Sequence, residues 1–293
     1  MVKKQAINRR EGITLKKRFW FNLILICLVL LAIQLYVDNN VIEVSNYEVS
    51  FENLPKEFDE TVLLHVSDLH SKLFGTDNEQ LYEKIEEINP DYIMLTGDMV
   101  NASDTDFSVF YDFAEKVGAK YETYYIVGNH ELALSQNDLA DIITTITGFG
   151  VKVLDNETIT LVRNGETINL HGMWYNSRYY FNEEFTIEVM NKIIGEENGG
   201  FDILLTHNPK SFEVYADWGA EVILTGHVHG GMVRLPYFGA IFSPERTLFP
   251  KYSEGVYSVE NSHMVVSRGL GRGLTGFRLF NKPELAVIVL NSK

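Results

Sequence analysis

Five short stretches place carboxylates, imidazoles and amides where they could hold metal ions: Asp68-Leu69-His70, Gly97-Asp98, Gly128-Asn129-His130-Glu131, His207 and Gly226-His227-Val228-His229. Together they form a set of nitrogen and oxygen ligands. The sole cysteine is Cys27, so neither a disulfide framework nor a thiolate metal site is available. Any one stretch is common by chance, and the chemistry depends on whether the fold gathers all five. His65 and His171 fall outside the pattern. His65 lies three residues before Asp68, so it faces elsewhere on an alternating strand and reads as a core residue, and His171 has no partner in sequence.

Each stretch follows a short apolar run, at 61–67, 92–96, 123–127, 201–205 and 220–224, which reads as a buried strand. If extended backbone continues past the first run, Asp68 and His70 project to the same side. Helical spacing is expected over 78–89, with Leu81, Ile85 and Ile88 on one face and Pro90 as the stop, and also over 107–117, 138–147 and 183–194. Strand and helix therefore alternate, which argues a parallel or mixed sheet with ligands beyond the carboxyl ends of its strands. An edge strand is expected over 41–51 and a hairpin over 158–172, turning at Asn164-Gly165. Further strands are expected at 232–241, 255–259, 263–267 and 285–290. The expected fold is α/β, two packed mixed β-sheets flanked by helices over residues 38–293.

A chain of 293 residues with 45% hydrophobic content can bury a substantial core. Its formal net charge of −15 combines +6 over residues 1–18 with −21 over the rest. A surface that acidic excludes phosphate-neutralising contact with nucleic acid. Residues 19–37 carry no charge, and at about 1.5 Å per residue a helix of that length nearly matches the hydrocarbon layer. Lys3, Lys4, Arg9, Arg10, Lys16, Lys17 and Arg18 precede this run, while Asp38, Glu43, Glu48 and Glu52 follow it. The expectation is a basic cytoplasmic segment over 1–18, then one transmembrane helix over 19–37 acting as an uncleaved signal anchor, with the remainder extracytoplasmic. Leu35-Tyr36-Val37-Asp38 offers no small-x-small cleavage site.

The ordered series D-x-H, G-D, G-N-H-E, H and G-H-x-H over residues 68–229 resembles the calcineurin-like metallophosphoesterases. That resemblance implies that Asp68, His70 and His229 ligate one metal, that Asn129, His207 and His227 ligate a second, and that Asp98 bridges them. It also implies that His130 assists the phosphate or the leaving group while Glu131 orients its ring. Two divalent cations carry more positive charge than Asp68 and Asp98 neutralise, and neutral imidazoles suit Mn, Fe or Zn. Two such ions roughly 3.5 to 4 Å apart would lower the pKa of a shared water for in-line attack on phosphorus. The implied activity is hydrolysis of a phosphoester or pyrophosphate in a phosphorylated small molecule or lipid headgroup. The alternative is a metal-dependent binding or scaffold protein on the same fold.

Stretches 44–49, 54–59, 230–236, 249–255 and 266–271 are similar to a membrane-associated bacterial branch, from which Val228 and Met232 depart. Arg234, Arg268, Arg272 and Arg278 read either as a clamp for a second phosphate or lipid headgroup or as solvated loop residues. Phe277, Leu279 and Phe280 read either as core, the preferred reading, or as residues that dip into the membrane next to the anchor.

Overall fold

A computed structural model of the chain describes residues 2–293 apart from 177, 182, 198, 232, 236–237, 244–246 and 273–275. Met232 thus lies outside the described residues. The chain enters through one long helix, α1 (Val2–Asn40), whose apolar part is exposed along its length until Asp38 and Asn39 become buried. Residues Lys16–Asn40 are long and apolar enough to cross a membrane. Next come β1 (Glu43–Phe51), β2 (Thr61–Val66), α2 (Glu79–Ile88), β3 (Tyr92–Leu95), α3 (Ser108–Gly118) and β4 (Glu122–Tyr125). They are followed by α4 (Asn129–Leu132), α5 (Gln136–Gly148), β5 (Lys152–Val153), β6 (Glu157–Arg163) and β7 (Glu166–Met173). The carboxyl-terminal half contains α6 (Arg178–Phe181), α7 (Ile187–Ile194), β8 (Asp202–Thr206), α8 (Phe212–Trp218) and β9 (Val222–Thr225). It closes with β10 (Val233–Leu235), β11 (Gly239–Phe242), β12 (Gly255–Val259), β13 (Ser262–Val266) and β14 (Glu284–Ser292).

Among the described residues the strands form two six-stranded sheets, ordered β1-β14-β2-β3-β4-β5 and β12-β13-β9-β8-β7-β6, and a ribbon of β10 and β11. Alternation along each strand sorts the core into layers. Leu63, Tyr92, Met94, Ile203, Leu205, Val222, Leu224 and Ile288 meet between the sheets. Their neighbours Leu64, Ile93 and Leu95 face α2, α3 and α5 through Leu81, Ile85, Phe110, Phe113, Ile142 and Ile146. On the opposite side Leu204, Ile223 and Met264 pack under Met190, Phe212, Tyr215 and Trp218. The result is the expected pair of packed mixed sheets with helices outside.

Pairs β2–β3, β3–β4, β7–β8 and β8–β9 are parallel, each joined by a crossover connection, as alternating strands and helices require. The hairpin β6–β7 turns at Asn164 and Gly165, with φ of 49° and 90°, the left-handed pair that such a two-residue turn demands. Three expectations are corrected. The helix over 183–194 starts at Ile187, preceded by the separate turn α6. The strand over 232–241 is the ribbon β10–β11. Phe277 and Phe280 are not core residues, being 49% and 41% exposed.

Strand β14 lies between β1 and β2, parallel to the first and antiparallel to the second. Ile288 on it is fully buried between the sheets. Substituting Ile288→Ala is expected to lower unfolding free energy by about 2–5 kcal/mol in a denaturant titration. The same truncation at Val162, 66% exposed on β6, is expected to change it by less than about 0.5 kcal/mol.

Candidate metal centre

Because β2, β3 and β4 run parallel in one sheet and β8 and β9 in the other, the stretches that follow them gather at one end of the sandwich. Hydrogen bonds tie the two sheets there. The His227 amide donates to both oxygens of Asp68 at 3.1 Å, and His207 Nδ1 donates to the Thr96 carbonyl at 2.6 Å. The second bond fixes the His207 ring with Nε2 turned inward, and Asn101 Oδ1, 3.0 Å from His70 Nδ1, does the same for the His70 ring. Asn101 carried no sequence signal beyond lying three residues after Asp98.

The backbone at the ligands is not extended. Asp68, His70, Asp98, His227 and His229 have φ of 53°, 49°, 53°, 70° and 55°, the left-handed region that non-glycine residues enter at a cost. Asp68 and His70 do converge, with Oδ1 and Nε2 3.9 Å apart, but through two left-handed turns and not through strand alternation. Gly97 is left-handed as well, with φ of 90°. A Cβ at Gly128 would overlap the Asp98 carboxylate, and one at Gly226 would overlap Ser67 and Asp68. The glycines therefore permit close approach of the ligand-bearing loops.

Three groups result among the described residues. Asp68, His70 and His229 form one, with His229 Nε2 3.3 Å from Asp68 Oδ1 and 3.2 Å from His70 Nε2. Asp98, His207 and His227 form a second, and His70, Asp98 and His130 form a third that shares a residue with each. Asp98 Oδ2 faces the first two, lying 3.1 Å from His207 Nε2 and 4.0 Å from His70 Nε2. Two ligand atoms each about 2.1 Å from one cation lie roughly 3–4 Å apart, so these separations suit metal ions. Asn129 Oδ1 is buried without a hydrogen-bond partner, an acceptor that only a cation or a donor from outside the chain would satisfy. The residues present therefore fit divalent metal.

The electrostatics agree. Burial alone would raise the Asp68 and Asp98 carboxyls. His229 and His207 beside the first, and His207, His70 and His130 beside the second, hold both below the usual carboxylate range. Burial opposes charge on His207, but Asp98 and Asp68 prevail and raise it to about 10. The cleft thus draws a proton onto His207 where a divalent cation would compete for the same lone pair. His229, chiefly through burial, is pushed down to about 3 and stays a neutral donor.

His130 and Glu131 take different places. His130, with its side chain 25% exposed, lies at the mouth, its Nε2 3.9 Å from Asp98 Oδ2 and its ring edge-on to His70. Its Nδ1 accepts the Ala102 N–H at 3.0 Å. Glu131 does not orient that ring, contrary to expectation. It is fully buried and accepts N–H groups from Asp98, Met99 and Gly128 at 2.9, 2.7 and 2.9 Å. Burial, reinforced by Asp98, pushes its carboxyl up to about 7. Glu131 thus fixes the turn that carries Asp98.

The other singled-out residues lie elsewhere. His65 is buried against Thr96 Oγ1, and His171 bridges Thr158 and Asp202, so both are structural. Arg268 pairs with Glu43, Glu254 and Glu284, Arg234 pairs with Glu254, and the buried Arg278 holds the carbonyls of Arg268, Gly269 and Gly271. Those three arginines are neither solvated nor aimed at a substrate.

Residues 61–231 match the sequence profile of the calcineurin-like phosphoesterases. The uncharacterized metallophosphoesterase YkuE of Bacillus subtilis (strain 168) is 28% identical over 263 residues, covering 88% of each chain. Phosphodiesterase YaeI of Escherichia coli (strain K12) is 27% identical, covering 78% of this chain and 81% of its own. UDP-2,3-diacylglucosamine pyrophosphatase LpxG of Chlamydia muridarum (strain MoPn / Nigg) is 21% identical, covering 80% and 86%.

Glu131→Ala leaves several buried N–H groups unpaired at about 1–3 kcal/mol each. It is expected to lower stability by at least about 3 kcal/mol in a denaturant titration and to reduce metal content with it. His130→Ala at the exposed mouth is expected to cost less than about 1 kcal/mol. Equal losses for the two variants would refute the separate places given to these neighbours.

Proposed function

The chain belongs to the calcineurin-like phosphoesterase family, and from that premise we propose that it hydrolyses a phosphodiester or pyrophosphate with two divalent cations at the outer face of the cytoplasmic membrane. One observation carries the dinuclear reading: Asp98 Oδ2 faces both the His70 and the His207 cluster. Asp68, His70 and His229 would hold one ion, Asn129, His207 and His227 the other, and Asp98 both. The nitrogen-rich set favours Mn, Fe or Zn over Mg or Ca. When bound, such a pair acidifies a water and polarises the phosphoryl oxygens.

The chain's own groups supply the rest. The Ala102 N–H at His130 Nδ1 leaves Nε2, 3.9 Å from Asp98 Oδ2, as the protonated nitrogen, placed to donate to a phosphoryl or leaving oxygen held beside the centre. Glu131 and the close-packed glycines keep Asp98 at its shared position before substrate arrives, so little reorganisation is left for the reaction. A diester or pyrophosphate is favoured by the activities named for YaeI and LpxG. The outer face is favoured by the apolar segment, with basic side chains before it and acidic ones after it.

The test uses the full chain in detergent, with metal counted by mass spectrometry and turnover followed on a bis-aryl phosphate. His227→Ala and His229→Ala are each expected to lose one ion, and the double variant both. Asp98→Ala is expected to lose metal at both positions and all turnover. His130→Ala is expected to keep its metal while kcat falls by about 10²–10⁴. A double variant no poorer in metal than either single one would refute the division of ligands, and a fully active His130→Ala would refute its role.

A further inference from the structure

We propose that the cleft between the end of α1 and residues Arg272, Gly276 and Phe277 binds the phosphate headgroup of a membrane lipid, with Arg272 meeting the phosphate and Leu35, Tyr36 and Phe277 flanking the adjoining carbons. The cleft has a volume of about 400 Å³ and is lined by Leu35, Tyr36, Asn39, Arg272, Gly276 and Phe277. Its depth follows from the helix. Counted from Phe19 at about 1.5 Å per residue, Leu35 lies roughly 24 Å along the axis and Asn39 roughly 30 Å, the outer boundary of the hydrocarbon layer. The inference rests on the reading of residues 19–37 as a membrane span, and lipid is then the solvent on this side of the cleft.

The chemistry of the walls matches a phospholipid at that depth. Tyr36, Phe277 and Phe280 are 67%, 49% and 41% exposed, suited to a bilayer interface that takes amphipathic and aromatic side chains. Arg272 adds a cation whose planar group matches phosphate geometry, on a chain that is strongly acidic beyond its first residues.

The cleft is also built rigidly against the metal centre. Asn39 donates to the Arg278 carbonyl and accepts the Arg278 N–H, at 2.9 and 3.0 Å, and the Phe280 N–H donates to Asp38. From the same loop, the Leu270 and Gly271 N–H groups donate to the Ser67 and Asp68 carbonyls at 3.1 and 2.6 Å. A Cβ at Gly271 would overlap His70, so the turn bearing Arg272 presses on the ligand stretch. A headgroup held at Arg272 would thus stay beside the metal centre while its acyl chains remain in the bilayer.

The experiment reconstitutes the full chain in nanodiscs of phosphatidylglycerol mixed equally with uncharged galactosyl diacylglycerol, and counts lipid retained by native mass spectrometry. Selective retention of phosphatidylglycerol is expected. Arg272→Gln is expected to reduce it about tenfold and Arg272→Lys far less. Leu35→Trp, which fills the cleft from the helix side, is expected to reduce it as well, with melting temperature and metal content unchanged. If Arg272→Gln fails to fold, the Leu35→Trp chain decides the matter alone. Retention indifferent to lipid charge, or unaltered by both Arg272→Gln and Leu35→Trp, would overturn the cleft as a lipid site. Release of the wild-type chain from membranes by alkaline carbonate would instead overturn the span on which it rests.

Discussion

The buried carboxylate of Asp98 is the constraint from which much of the architecture follows. At 1% exposure its charge is costly unless cations or donors surround it, and the chain supplies these from three strand ends. His207 comes from the second sheet, His70 from the neighbouring strand, and the His130 N–H donates to Oδ1 at 2.8 Å. Such a group tolerates only one arrangement of its surroundings. That is why glycine occupies Gly97 and Gly128, why Glu131 gives up its own solvation to hold the turn, and why the two sheets meet at this end.

A second dependence runs outward from that centre to α1. Residues 268–271 and 276–281 contact the candidate ligand stretches through Leu270, Gly271 and Asn281 and contact α1 through Arg278 and Phe280. One short segment therefore joins the apolar helix to the catalytic end, with the buried Arg278 gathering its carbonyls. The junction with α1 gives the candidate metal centre a set orientation with respect to any bilayer that α1 crosses.

Much of the fold was legible in the sequence, for identifiable reasons. Strands ending in ligands were visible because short apolar runs break at glycine followed by a polar residue, as at Gly97-Asp98 and Gly226-His227. The hairpin at Asn164-Gly165 was visible because its turn tolerates few other residue pairs. The helix expected over 183–194 starts later, at Ile187, because Thr186 is extended and caps it, which the apolar pattern did not signal. For Phe277 and Phe280 the preferred core reading failed because hydrophobicity reports only that a residue avoids water, which does not by itself require a protein core.

What the sequence determined by itself is local: the alternation of strands and helices, the apolar segment, and the identity and order of the seven candidate ligand residues. Backbone periodicity and side-chain chemistry depend on neighbours along the chain, so they can be read there. Only the tertiary structure decided which ligands share a cluster, that β14 returns between β1 and β2, and that Glu131 serves Asp98 and not His130. Each of these depends on groups tens to hundreds of residues apart meeting in space. Their pairing is selected by burial of charge and by the fit of packed layers, which no local pattern encodes.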